Sequence, residues 1–210
     1  MKRPYRSAVR EEGARRTRRA IVAAAASLFT ERGYGGASLA DVAAAAGVSR
    51  PTVTATFGSK PALLREVLDQ ALAGDDEPVP VADRPWFRPV WQAQTHADLL
   101  TAYAHVCTLI GARASLLFEV VRRAADGNAE VAELWERTRR NRRAGATMVV
   151  DQLQRLPPSP EWLGHEAAVD ALWIFNDPSH YDALVTQCGW KESDFTRWLA
   201  LRMQDALLRG

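Results

Sequence analysis

The sequence predicts an all-α fold in two parts, an N-terminal three-helix domain with a helix-turn-helix and a larger C-terminal helical domain. Two observations carry that prediction. Apolar residues recur at helical spacing along most of the 210 residues, and no run of alternating β-branched residues competes with them. Prolines and glycines fall mainly between the periodic stretches, where they punctuate helices rather than interrupt them. The length allows a substantial core, and 47% hydrophobic with 25% charged residues is ordinary for a folded chain. Purely apolar runs such as residues 21–26 are too short to span a bilayer, and no apolar segment follows the basic start as a secretory signal requires. A cytoplasmic protein with no membrane association is therefore expected.

In chain order, residues 1–14 read as a basic flexible arm, and 15–73 as the first domain with its connecting fourth helix. Thr17 to Arg32 forms the first helix, with Ile21, Ala24, Ala25, Leu28 and Phe29 on one stripe and Gly33 ending it. Ser38 and Asp41 have capping-box spacing and open a short second helix, which Gly47 closes. Ser49 caps the third, with Pro51 in its first turn. The fourth runs from about Lys60 to Ala73. Residues 74–94 are a linker, announced by three prolines and four acids in 74–85. The second domain, 95–210, should hold helices over 95–112 (with a second capping box, Thr95 and Asp98), 113–125 and 128–156. A turn through Ser159 and Pro160 then leads to a helix ending near Phe175, a short one over 179–187, and a last one over about 192–208. Cys107 and Cys188 lie far apart within helical patterns and read as buried reduced thiols, the alternative being a disulfide.

Net charge is only +2, but it is unevenly spread. Residues 1–60 carry eleven Lys/Arg against four Asp/Glu, or +7; the remainder carry sixteen against twenty-one, or −5. A basic front end on an acidic body concentrates polyanion affinity at one end, although a charge run can also be a solvated arm. The two short helices joined by Ala44–Ser49 have the pattern of a helix-turn-helix, with Gly47 giving the left-handed turn and Val48 plugging the corner. In 49–57, Val53 and Phe57 are one turn apart and must face inward. Pro51, Thr52, Thr54 and Ala55 are then outward, with Arg50 at the exposed end. Small hydrogen-bonding or methyl-bearing side chains beside one arginine suit a major groove: the guanidinium can take guanine O6 and N7, and a threonine can touch a thymine methyl.

Residues 18–64 resemble the DNA-binding domain of the TetR family almost from end to end. Arg18-x-x-Ile21-x-x-Ala24-Ala25-x-x-Leu28-Phe29 and Glu31-Arg32-Gly33-Tyr34 match its first helix and exit. Ser38-Leu39-Ala40-Asp41-Val42-Ala43 with Ala46-Gly47-Val48-Ser49 matches its second helix and turn. Thr52, Phe57 and Ser59-Lys60-x-x-Leu63 match its recognition helix and the start of its fourth helix. The likeness is looser over 170–198, where Leu172-Trp173, Asp177-Pro178, Tyr181-Asp182, Gly189-Trp190 and Trp198 are similar to a pattern common in such regulators from actinobacteria. The resemblance implies a one-component transcriptional regulator, usually a repressor, that binds double-stranded operator DNA at an inverted repeat as a homodimer. The DNA-contacting set it implies, with the helix geometry above, is Ser38, Ser49, Arg50, Thr52, Thr54, Thr56 and Lys60, with Lys60 on a phosphate and Arg3 and Arg6 reaching from the arm. Two departures bear on this set. The family usually has tyrosine where this chain has Thr54, and often tyrosine or histidine at Ala55 and Thr56. Pro51 also removes a backbone N–H.

In the second domain the family pairs its last two long helices across a four-helix interface, here about 161–175 and 192–208, with Ala168, Ala171, Phe175, Trp198 and Leu201 as interface residues. It also implies a small-molecule effector enclosed by the helices in between, for which Trp86, Trp91, Tyr103, Phe118, Arg122 and Trp135 are the candidate lining. These residues equally suit ordinary core packing. Four scattered histidines make no metal spacing, and no GxSxG, P-loop or GxGxxG occurs, so neither catalysis, a cofactor nor a metal is expected. Two other readings stay open: an architectural DNA binder without effector control, and an enzyme with an appended DNA-binding domain.

Overall fold

A computed structural model describes residues 4–157 and 164–208, with side chains from residue 10 onward; every regular element among them is helical. The chain divides into two compact units. The first comprises Met1–Gln70 with Val120–Leu134, the second Ala71–Glu119 with Trp135–Gly210.

The first unit holds α1 (Pro4–Gly36), α2 (Leu39–Ala45), α3 (Arg50–Phe57) and most of α4 (Lys60–Ala73). Helix α1 starts at Pro4, not at Thr17, so the described part of the segment expected as a flexible arm is helical. Proline suits a first helical turn, and only Gly13 lowers the propensity of the residues after it. The regular run breaks where the sequence places it: Gly33 has φ 71 and ψ 168, a conformation that costs a side-chain-bearing residue strain. Ser38 caps α2 and Ser49 caps α3, with Pro51 in the first turn. Ile21, Ala25, Phe29, Val42, Val53, Leu63, Leu64 and Leu68 are fully buried and form this unit's interior. The buried valines 120, 121 and 131, with Leu134, belong to the same unit.

The second unit contains a 3-10 turn (Val81–Asp83), α5 (Arg88–Gln92), and most of α6 (His96–Ala125) and α7 (Ala129–Arg155). It also holds α8 (His165–Phe175), a single helical turn α9 (Ser179–Tyr181) that widens into a π-turn over Asp182–Gln187, and α10 (Glu192–Leu208). One expectation fails here. The stretches 95–112 and 113–125 are a single helix, with Gly111 inside it rather than at an end. A Cβ on Gly111 would lie 2.6 Å from Cβ of Tyr181, so the glycine lets that side chain pack flush on α6. Thr95 caps α6, accepting from the Asp98 N–H (3.1 Å) while its hydroxyl donates to the Asp98 carboxylate (2.7 Å). Asn128 caps α7 through its side-chain oxygen, which accepts the Val131 N–H (3.0 Å). The core gathers Leu99, Leu100, Tyr103, Val149, Val150, Leu153, Leu172, Phe195, Leu199 and Met203. Helix α6 is long and apolar enough to cross a membrane, but more than half of its apolar stretch is buried within the protein, as in a core helix. The expected cap Ser159 and Pro160 lie outside the described residues.

The segment expected as a linker is folded. Arg84, 4% exposed, donates to both Asp75 carboxylate oxygens (2.6 Å) and to the Val79 and Glu77 carbonyls (3.0 and 2.8 Å). Trp91 closes the same loop by donating its Nε1–H to the Ala82 carbonyl (2.7 Å). A sequence rich in proline and acids becomes ordered because one arginine collects its carbonyls and a carboxylate.

Candidate functional site

The helix-turn-helix is built on serine caps. The Ser38 hydroxyl accepts the Asp41 N–H (3.1 Å) and donates to the Asp41 carboxylate (2.6 Å), which in turn accepts the Ser38 N–H (2.8 Å). Those hydrogen bonds hold the exposed Asp41 carboxyl below the usual carboxylate range. The turn passes through Gly47 at φ 67. At α3, Ser49 Oγ accepts the Thr52 N–H (3.2 Å) and lies 2.8 Å from the Thr52 hydroxyl. Val53 is fully buried. Phe57 is half-buried, with the Arg18 guanidinium 4.5 Å above its ring, and Arg18 also pairs with Glu66 (2.7 Å).

This anchoring leaves Arg50, Pro51, Thr54 and Ala55 exposed along one side of α3. Thr52 and Thr56 lie lower, both half-buried; the Thr56 hydroxyl is committed to the Thr52 carbonyl (2.7 Å) and that of Thr52 to Ser49. The exposed face therefore offers one guanidinium, one free threonine and two apolar contacts. Lys60, expected on a phosphate, lies half-buried at the start of α4. Its ammonium donates to the Tyr34 carbonyl and stands 4.2 Å from the Tyr34 ring centroid. Tyr34 and Arg18 stand in the sequence as part of the family pattern, but each acts through a contact between distant segments that spacing does not announce. Arg3 lies outside the described residues, and so does the side chain of Arg6.

In the second unit the aromatic residues fall into separate clusters. Phe87 stacks on Trp91 (4.9 Å) and meets Trp86 (6.2 Å) and Tyr103 (6.3 Å), while Arg113 stands 5.2 Å from the Trp86 centroid. Phe118 and Trp135 form an edge-on pair (6.3 Å). Arg122 belongs to the first unit and the other five candidates to the second. A polar cluster unforeseen in the sequence lies at Tyr103. Its hydroxyl accepts from Asn176 (2.9 Å), whose Oδ1 accepts from Arg142 Nε (3.2 Å), and Arg142 also binds the Trp173 carbonyl (2.8 Å) and Asp177 (2.7 Å). Burial raises the Tyr103 hydroxyl well above its ordinary value, and pushes the Cys107 thiol up to about 12. Both thiols are free; Cys188 is exposed, against expectation.

Of the interface candidates, Ala168 is fully buried in its own subunit's core and presents no surface to a partner. Ala171, Phe175 and Trp198 are partly buried against that core. Leu201 is 44% exposed, and Ile174 and Trp190 join it as large exposed apolar side chains on or beside α8 and α10. No group of three His, Cys, Asp or Glu placed to hold a metal occurs among the described residues.

Residues 21–67 match the sequence profile of the tetR family of bacterial regulatory proteins. No curated protein sequence matches the chain. Among solved structures, the chain is similar to a protein from Pseudomonas aeruginosa PAO1 described as a transcriptional regulator (TM-score 0.65, 15% identity, covering 89% of this chain and 88% of that one). It is similar also to one from Mesorhizobium loti assigned to the TetR family of transcriptional regulators (0.59, 17%, 91% and 95%). A transcriptional regulator from Rhodococcus sp. RHA1 is similar as well (0.61, 23%, 89% and 94%). At these identities the likeness is one of fold, and it extends over both units.

Proposed function

We propose that this chain, whose residues 21–67 belong to the tetR family of bacterial regulatory proteins and whose fold is that of TetR-type transcriptional regulators, is a homodimeric repressor released from operator DNA by a small effector. The observation that carries the DNA-binding part is the exposed side of α3. A helix anchored by Val53 and Phe57 leaves Thr54 and Ala55 unburied beside Arg50, two short side chains that let the helix enter a major groove and one guanidinium that can reach a base edge. The +7 charge of residues 1–60 supplies the sequence-independent attraction to phosphates, to which Arg3 and Arg6 belong.

The dimer reading rests on Ile174, Trp190 and Leu201, large apolar side chains left exposed at α8 and α10, and on the few base pairs that one helix-turn-helix spans. The effector reading rests on the aromatic content of the second unit, where Trp86, Trp91 and Tyr103 gather around Phe87 and Phe118 pairs with Trp135, side chains of the kind that suit a partly apolar compound. Such a compound must bind the released conformer on the order of 10⁴-fold better, about 5.5 kcal/mol, to take an operator from nearly full to nearly empty. Operator DNA must then weaken effector binding by the same factor.

Selection of duplexes from a random pool by the full chain tests the reading. Enrichment of an inverted repeat, bound by a species sedimenting as a dimer, supports it; enrichment of nothing, or a monomer with and without DNA, refutes it.

A further inference from the structure

Helix α4 begins in the first unit and ends in the second, at Ala73. The last carbonyls of a helix lack intrahelical donors and carry its negative end, so a cation beside them is stabilising. The last turn of α4 has no basic residue of its own. A cation comes instead from α6, as Arg113. Gly74, the residue after α4, stands at φ 90, and a Cβ built on it would run into Arg113 Nη1 and lie 3.0 Å from its Cζ. The glycine thus serves twice. It takes the left-handed turn out of the helix, and it leaves room for a guanidinium against the backbone. The same guanidinium stands 5.2 Å from the centroid of Trp86, whose ring meets Phe87 at 6.2 Å. One residue after Gly74, the Asp75 carboxylate is taken by Arg84. Gly74, Trp86 and Arg113 all belong to the second unit.

We infer that Arg113 is a positioning residue: it fastens the end of α4 to α6 and to Trp86, and it makes Trp86 the aromatic side chain through which the second unit acts on α4. An α4 whose end is unfastened samples more poses. A partner that needs one of those poses then binds with an affinity lowered by the fraction of molecules that hold it. Arg113 is exposed, and at such a site a cation over an aromatic face shifts an equilibrium by about two- to fivefold. That is enough to bias a helix end and too little to decide whether the protein folds.

The inference rests on the DNA-binding reading above, but the first of its two measurements needs no DNA. Amide hydrogen exchange of residues 71–74 is followed in the full-length protein and in its Arg113→Gln, Arg113→Lys, Trp86→Leu and Gly74→Ala variants, at a temperature where melting shows all of them folded. Exchange should quicken by about two- to fivefold in Arg113→Gln, Trp86→Leu and Gly74→Ala, whose new methyl displaces the guanidinium without removing a charge. Arg113→Lys, which keeps a cation for the ring, should stay close to wild type. Gly74→Ala also strains the backbone, so it is combined with Arg113→Gln; a double effect smaller than the sum shows that both act on one contact. The same proteins are then titrated with a duplex selected from the random pool, over a range of salt. The three loosened variants should bind it about two- to fivefold more weakly, with the salt slope unchanged. Unaltered exchange overturns the inference, and so does quickened exchange with unaltered duplex binding. A loss confined to Arg113→Gln, with a slope reduced by about one unit, makes Arg113 a phosphate contact and overturns it as well. A wild-type protein that enriches no duplex brings down the DNA-binding reading, and the exchange rates still decide whether Arg113 holds α4.

Discussion

Arg50 stands exposed at the first position of α3, whereas Arg84 and Arg142 of the second unit have little surface of their own: Arg84 is 4% exposed and the Arg142 side chain 11%. The exposed arginine has spare donors and a shape that fits a base edge. The buried pair have spent theirs, Arg84 on a carboxylate and two carbonyls, Arg142 on Asp177, Asn176 and the Trp173 carbonyl. A guanidinium in water costs the fold almost nothing and remains available to a partner. One taken out of water must be fully met, and then it specifies how segments pack. The same residue type is thus left to solvent on α3 and committed to packing in the second unit.

The largest expected effect tests the architectural side. Arg142→Ala leaves Asp177 and Asn176 without their partner and should cost about 3 kcal/mol in chemical denaturation, while Arg142→Met with Asp177→Leu should regain much of that loss. A cost near zero for the single substitution would erase the contrast. Next comes the recognition side. Arg50→Ala should leave stability within about 0.5 kcal/mol and weaken the selected duplex by about 1–3 kcal/mol, with an unrelated duplex barely affected. Equal weakening of both duplexes would make Arg50 a simple charge. Ser38→Ala should then remove about 1 kcal/mol from the unfolding free energy through the lost cap of α2, measured by the same denaturation.

The smallest effect concerns an exposed contact between α7 and α8. His165 Nε2 lies 2.9 Å from Asp151 and its Nδ1 3.5 Å from Glu166, and the hydrogen bond to Asp151 raises its pKa above the ordinary histidine value. A raised folded-state pKa stabilises fully below the unfolded value, near 6.5, and the gain is lost as pH rises through the folded value. The difference in melting temperature between wild type and His165→Gln should therefore shrink from mildly acidic to mildly alkaline pH. A difference that grows would reverse the sign and reject the contact.

The sequence made the helix-turn-helix legible because its signals are local. The reciprocal Ser38–Asp41 cap, Ser49 with Pro51, and the breaks at Gly33 and Gly47 each act within a few residues of where they are read. In the second unit α10 was bounded at the same residues for the same reason, by the acids of its first turn and the apolar period behind them. Gly111 was not legible: a lone glycine ends a helix or admits a neighbour, and the neighbour here is Tyr181, far along the chain. Arg84 sat in a stretch whose prolines and acids describe a linker, and Arg142 in a run of arginines that describes a solvated face. Lys60 showed its type and its position, but its partner is a backbone carbonyl, which has no letter of its own.

The first unit draws its residues from two separate stretches of chain, Met1–Gln70 and Val120–Leu134. The first seventy residues are therefore not a self-contained cassette. A recombination event that exchanged the first seventy residues alone would leave behind Val120, Val121, Val131 and Leu134, which are buried in this protein. The recipient would have to supply matching side chains from the end of its own α6 and the start of its α7.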